Sequence, residues 1–135
     1  MTFFSGVTEY NGTVDDHSAF FTGVNGVKLY SEYADGYLSL RLRGDLDHHS
    51  ARETIALIEG AMDRHLPKTC SLDLSGLGFM DSSGIAVLLR AKKRMEETGG
   101  RFWVSDVSAQ PDRVLTASGV ARIVSIQHRK GATKP

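Results

Sequence analysis

Phe79-Met80-Asp81-Ser82-Ser83-Gly84-Ile85-Ala86-Val87-Leu88-Leu89 opens as the loop after a strand and closes as an apolar helix. Its reading decides the fold and points to the function. Ser82 sits where loop becomes helix. There its oxygen can accept a bond from an orphan backbone N–H of the first turn, so it reads as the N-cap. The same place favours negative charge, through free N–H groups and the positive end of the helix dipole. A hydroxyl at this point can cap, attack or receive a phosphate. Residue chemistry alone favours the cap.

Outward from this stretch the chain alternates strand and helix. Behind it, Thr69 to Leu74 reads as a strand, with Cys70, Leu72 and Leu74 alternating with Ser71 and Asp73, and Ser75-Gly76-Leu77-Gly78 reads as loop. Ahead, the helix runs to about Thr98, with Ile85, Leu88, Leu89 and Met95 as its core face and Arg90, Lys93, Arg94 and Glu97 as its wet face. Gly99-Gly100 ends it. Arg101 to Ser105 reads as a strand, Pro111 to Ala117 as a short helix, and Arg122 to Gln127 as a last strand. Upstream, Val27 to Tyr33 and Tyr37 to Arg43 flank Asp35-Gly36 and read as a hairpin. Between hairpin and third strand, Ser50 with Glu53 spells a capping box, and Ala51, Ile55, Ile58 and Met62 make a helical stripe ending before Pro67.

These elements predict an α/β fold: one domain over residues 27–127, a mostly parallel mixed sheet of about five strands led by an N-terminal hairpin, and helices on one face. Residues 1–26 show turn signals at Asn11-Gly12 and Gly23-Val24-Asn25-Gly26 and no sustained period. They read as an irregular extension whose Phe3, Phe4, Phe20 and Phe21 could cover exposed core. Residues 128–135 read as a frayed tail.

With 135 residues the chain has room for one core, and its 16 Lys and Arg balance its 16 Asp and Glu. That balance gives no electrostatic footprint for nucleic acid. No apolar run approaches the roughly 18 residues of a membrane helix, and no signal-peptide pattern opens the chain, so a cytoplasmic location is expected. The one cysteine, Cys70, lies in an apolar strand and reads as buried filler, with no disulfide or cysteine metal cage. Asp45, Asp47, His48 and His49 carry metal-binding chemistry, but adjacent histidines seldom face one ion. A solvated loop leading into Ser50 is the plainer reading, and no metal is expected. A serine-hydrolase reading of Ser82 lacks the Gly-x-Ser-x-Gly elbow, and an acidic neighbour opposes formation of an alkoxide. The cations Arg90, Lys92, Lys93 and Arg94 suit a solvated face or the border of a protein interface equally.

Gly44-Asp45-Leu46-Asp47-His48-His49-Ser50-Ala51, then Leu72-Asp73-Leu74 and Phe79 to Ile85, resemble the STAS family, and more narrowly the small bacterial anti-sigma factor antagonists. Gly119-Val120 with Arg122-Ile123-Val124 resembles the family's segment before its last strand. The resemblance spans about Val27 to Gln127. It implies a binding protein rather than an enzyme, with no cofactor, a monomer or weak homodimer. The implied partners are an anti-sigma factor serine kinase, which the unphosphorylated chain binds so that sigma factor is released, and a phosphatase acting on the phosphorylated form. By motif the phosphate acceptor is Ser82, with Asp47, Asp81, Ser83 and Gly84 supporting partner binding or phosphorylation. A scaffold or transport-regulatory role within the family is the alternative. The family's closing helix after the last strand has no counterpart in Gly131 to Pro135, and its members as a rule lack so long an N-terminal extension.

Overall fold

A computed structural model describes residues 8–14, 17–24 and 26–128, with side chains from Gly26 onward. Six strands and three α-helices follow in the order β1 (Thr8–Val14), β2 (His17–Val24), β3 (Val27–Ala34), β4 (Tyr37–Leu46), α1 (Ala51–His65), β5 (Thr69–Met80), α2 (Ser83–Glu97), β6 (Arg101–Val107) and α3 (Ala109–Ser118). The strands lie in one sheet in chain order. β1 to β4 pair antiparallel, while β4–β5 and β5–β6 pair parallel.

The parallel half explains the one-sided layering. The strands β4, β5 and β6 step across the sheet in one direction. Two right-handed crossovers in that direction place α1 and α2 on the same face. Side-chain alternation agrees. Leu38, Leu40 and Leu42 of β4, Cys70 and Leu72 of β5, and Phe102 and Val104 of β6 are buried, and the register sets Leu38 beside Cys70 and Cys70 beside Phe102. Tyr37, Arg41 and Arg101 point to the other, wet face. There Arg41 approaches Asp73 at 3.9 Å and the Tyr37 hydroxyl donates to Ser71 Oγ at 3.0 Å. Each fully buried leucine contributes about 1.5–3 kcal/mol. Burial pushes the Cys70 thiol up to about 12, which suits a packing residue with no reactivity.

Four readings of the sequence are corrected. Residues 1–26 are not an irregular extension throughout: β1 runs through Asn11-Gly12, and β2 pairs with β3 along its length. The backbone groups of β3 facing away from β4 require partners, and β2 supplies them. The proposed cover by Phe3, Phe4, Phe20 and Phe21 falls on side chains outside the described residues. Ser75-Gly76-Leu77-Gly78 is not a loop but the continuation of β5. Register shifts between Arg41 and Arg43 and between Gly44 and Asp45 let β5 absorb its extra residues while staying paired. Gly76 allows this because a Cβ there would meet the Leu42 carbonyl oxygen at 2.8 Å.

The last strand, expected over 122–127, is absent from the described residues. A 3₁₀ turn covers Val120–Arg122, and pairing reduces to a single parallel bridge between Val104 and Ile126. Finally, Leu89 is 37% exposed, while Gly84, Val87 and Ala91 join Leu88 and Met95 in the core face of α2. The tail expected over 128–135 lies outside the described residues apart from His128.

Candidate functional site

The bulges in β5 bring the C-terminal ends of β4 and β5 back into register, with Leu46 opposite Met80. The chain therefore leaves both strands at the same level. Residues 47–50 lead into α1 and residues 81–82 into α2, side by side at the carboxyl edge of the sheet. This is the edge where open α/β sheets place their sites. A backbone bond from Asp81 N–H to the Leu46 carbonyl, 3.2 Å, ties the two exits together.

At the second exit, Asp81 does the capping. Its Oδ1 accepts the Ser83 N–H at 2.8 Å, and its Oδ2 accepts the His48 N–H at 3.2 Å. Ser82 occupies the N-cap position of the 15-residue helix α2, yet makes no side-chain cap bond and is exposed. The expected cap is thus made by its neighbour. One carboxylate offers the helix and the adjacent loop an oxygen each, where a hydroxyl has only one oxygen on a shorter side chain. Burial alone would raise the Asp81 carboxyl. The hydrogen bonds from Ser83 and His48 outweigh it and hold the group below its ordinary 3.8. A lowered folded value means that its stabilising contribution is complete above the ordinary value and is lost as pH falls through the folded one.

Gly84 follows at a tight point. Its N–H bonds to the Asp81 carbonyl at 3.0 Å, and a Cβ there would meet Met80 Sδ at 2.4 Å. The first turn of α2 therefore sits directly on the end of β5.

At the first exit, Asp47 Oδ1 accepts from His49 N–H at 2.9 Å and Ser50 N–H at 3.3 Å. Ser50 is buried, and its hydroxyl turns back: Oγ donates to the Asp45 carbonyl at 3.1 Å and accepts the Asp47 N–H at 3.2 Å. The expected Ser50–Glu53 capping box does not form. Ser50 has helical backbone angles and no side-chain cap bond, and Glu53 Oε1 is buried without a partner among the described residues.

The structure thus brings Asp47, Asp81, Ser82, Ser83 and Gly84 to one edge. It adds residues not singled out as site residues from sequence. His48 reaches Asp81 across 33 positions, through its N–H and with its Nδ1 3.7 Å from Oδ2. Gln110 of α3 braces Met80, accepting its N–H at 2.8 Å and donating to its carbonyl at 3.0 Å. The Ser50–Glu53 spacing drew attention to the wrong acid, and nothing in the local sequence around Gln110 signals its role.

The cations on α2 are mostly committed internally. Arg90 pairs with Glu59 at 3.1 Å, Arg94 with Glu59 at 3.6 Å and with Asp63, and Lys92 with Glu96. The two arginines clasp α2 to α1, and Lys92 pairs within α2. Among the described residues no group of three or more His, Cys, Asp or Glu is placed to hold a metal ion, and no helix is long and apolar enough to cross a membrane.

Comparison with known proteins agrees with this geometry. An anti-sigma F factor antagonist of Paenibacillus polymyxa is 35% identical over 100 residues, covering 74% of this chain and 86% of the relative. A second, from Lysinibacillus sphaericus, is 35% identical over 81 residues, covering 60% of this chain and 69% of the relative. Among solved structures, the unphosphorylated anti-sigma factor antagonist SpoIIAA superimposes with a TM-score of 0.64 at 26% identity, over 76% of this chain and 89% of that one. The phosphorylated form of the Bacillus cell fate determinant SpoIIAA does so with 0.58 at 26% identity, over 76% and 92%. The family model of the STAS domain matches residues 31–132, and with the one-sided sheet and the paired strand exits on the page, the chain belongs to the STAS domain family.

Proposed function

We propose that this protein is an anti-sigma factor antagonist. In its unphosphorylated form it binds an anti-sigma factor that is a serine kinase, and sigma factor is released. Phosphorylation of Ser82 switches it off, and a phosphatase restores it. The observation that carries this reading is that Asp81 caps α2, which leaves the Ser82 hydroxyl exposed and uncapped at a helix N-terminus. The two SpoIIAA likenesses, one unphosphorylated and one phosphorylated, support it.

The surface around Ser82 suits a partner. Ser82, Ala86, Leu89 and Lys93 recur at helical spacing and are exposed, and Phe79, 41% exposed, stands just before them. Small and apolar groups next to a neutral hydroxyl offer a surface that loses little on desolvation. The chain supplies the acceptor hydroxyl and its setting. Nucleotide, Mg²⁺ and catalysis belong to the kinase, so the chain is a substrate and not an enzyme.

Ser82→Ala tests the binding half of the reading. Calorimetry against a candidate anti-sigma kinase should give an affinity within about tenfold of the parent, since less than about 1.4 kcal/mol is at stake. Loss of binding would show that the hydroxyl is itself a principal contact, and the reading would fail in this form.

Asp47→Asn separates fold from function. An amide oxygen keeps the acceptor for His49 and Ser50, so the melting temperature should stay within about 2 °C of the parent. The rate of Ser82 phosphorylation or the partner affinity should fall. A collapsed melting curve with an intact phosphorylation rate would instead make Asp47 a structural residue.

A further inference from the structure

His48 is placed to do more than join two loops. Its side chain is 70% exposed, and its Nδ1 lies 3.7 Å from Asp81 Oδ2, the oxygen that its own N–H also reaches. Asp81 Oδ1 is taken up by the helix. Ser82 follows Asp81 directly, about 3.8 Å away between Cα atoms. The carboxylate that faces an exposed imidazole thus belongs to the residue next to an exposed serine. The other charged and titratable groups at this edge are Asp45 at the end of β4, Asp47 and His49 on the loop of His48, and Arg52 and Glu53 in the first turn of α1. Asp47 spends its Oδ1 on backbone N–H groups, and the His49 ring lies 3.9 Å from that of His48 at a tilt of 38°.

We propose that His48 is the cationic partner of a phosphoryl group on Ser82, so that the phosphorylated state is held in a proton-dependent way. The inference rests on Ser82 being the modified residue and adds a second group to the switch. A phosphoserine brings about −1.5 to −2 charge beside an Asp81 that is already held ionised. Two anions side by side repel, and an imidazolium relieves both. Its charge is spread over the ring, and the exposed side chain can turn an N–H toward the phosphate while staying beside the Asp81 carboxylate. No bond is made or broken, and the proton comes from solvent. Because the anions favour the charged ring, the pairing is lost as pH rises and the ring gives up its proton, and it weakens again below about 6 as the phosphate takes up a proton of its own.

The test uses the full chain with phosphoserine installed at position 82 by encoded incorporation, which requires no kinase. Imidazole NMR titrations are compared with and without the phosphate. The His48 midpoint should move up by about 0.5–1 unit, as for an opposite charge within a few ångströms at an exposed site. His65 stacks on Tyr33 at the other end of α1, with ring centroids 4.5 Å apart, and serves as the internal control that should not move. Phosphorus NMR gives the reciprocal reading. In His48→Gln the second ionisation of the phosphate should rise toward the ordinary value of about 6. Identical His48 titration in both forms, or a shift of His49 without one of His48, would overturn the inference. Failure of every candidate kinase to modify Ser82 would count against the proposed function instead and would leave this titration unaffected.

Discussion

Ser82→Asp is expected to bind the anti-sigma partner more than a hundredfold more weakly than the parent chain, with its melting temperature nearly unchanged. A carboxylate at the N-terminus of α2 meets the positive end of the helix dipole, so the folded chain tolerates it. The partner does not. A surface fitted to a neutral hydroxyl among Ala86, Leu89 and Phe79 would have to desolvate a charge and leave it unpaired. It would do so beside Asp81, which is itself ionised. A penalty of about 3 kcal/mol already exceeds two decades in affinity. No large rearrangement is needed, because the change of charge lies in the contact surface itself. Affinity equal to that of the parent in calorimetry would remove the charge switch as the mechanism.

Gly44→Ala carries the largest expected effect on folding. Gly44 has φ of 111°, in the region open to glycine, and a Cβ there would lie 2.0 Å from the carbonyl oxygen of Gly26. Both obstacles are backbone, so no side chain can rotate away. Gly44 also sits at the register shift that brings Asp45 opposite Phe79 and Leu46 opposite Met80. Displacing it moves the exits that carry Asp47 and Asp81. Strain together with lost pairing should cost about 3 kcal/mol or more. For a chain of this length that lowers the melting temperature by roughly 10 °C. A melting temperature within about 2 °C of the parent would show that the turn ahead of β3 gives way freely at Gly26 and that the bulge is not a fixed point of the fold.

What was legible in the sequence was what repeats. Leu38, Leu40 and Leu42 mark β4 by alternation, and Leu88 and Met95 mark α2 by helical spacing, so the layers and the single covered face follow. What stayed hidden depends on a distant partner. Two glycines within four residues read as a loop at Ser75 to Gly78, because only β4 alongside shows that Gly76 is paired with Arg43 and that Gly78 sits in a bulge. The β-branched run Ile123, Val124 and Ile126 reads as a strand, yet only Ile126 finds a partner, Val104, while Ile123 is 57% exposed.

The site divides in the same way. The Asp81-Ser82-Ser83 triplet offers three residues able to cap, and local chemistry points to Ser82. The choice of Asp81 is made from elsewhere in the chain, by the His48 N–H that holds its second oxygen. The brace from Gln110 to Met80 is equally remote. The motif residues were readable because they are contiguous, and the groups that set their geometry were not.

The most direct test is intact mass after incubation with ATP, Mg²⁺ and a candidate anti-sigma serine kinase, followed by peptide mapping, with Ser82→Ala alongside. The account predicts one added phosphoryl group, mapped to Ser82 and absent from the alanine variant. A phosphate mapped elsewhere, or no gain in mass with a kinase that demonstrably binds the chain, would contradict it and leave Ser82 an exposed hydroxyl at the start of a helix.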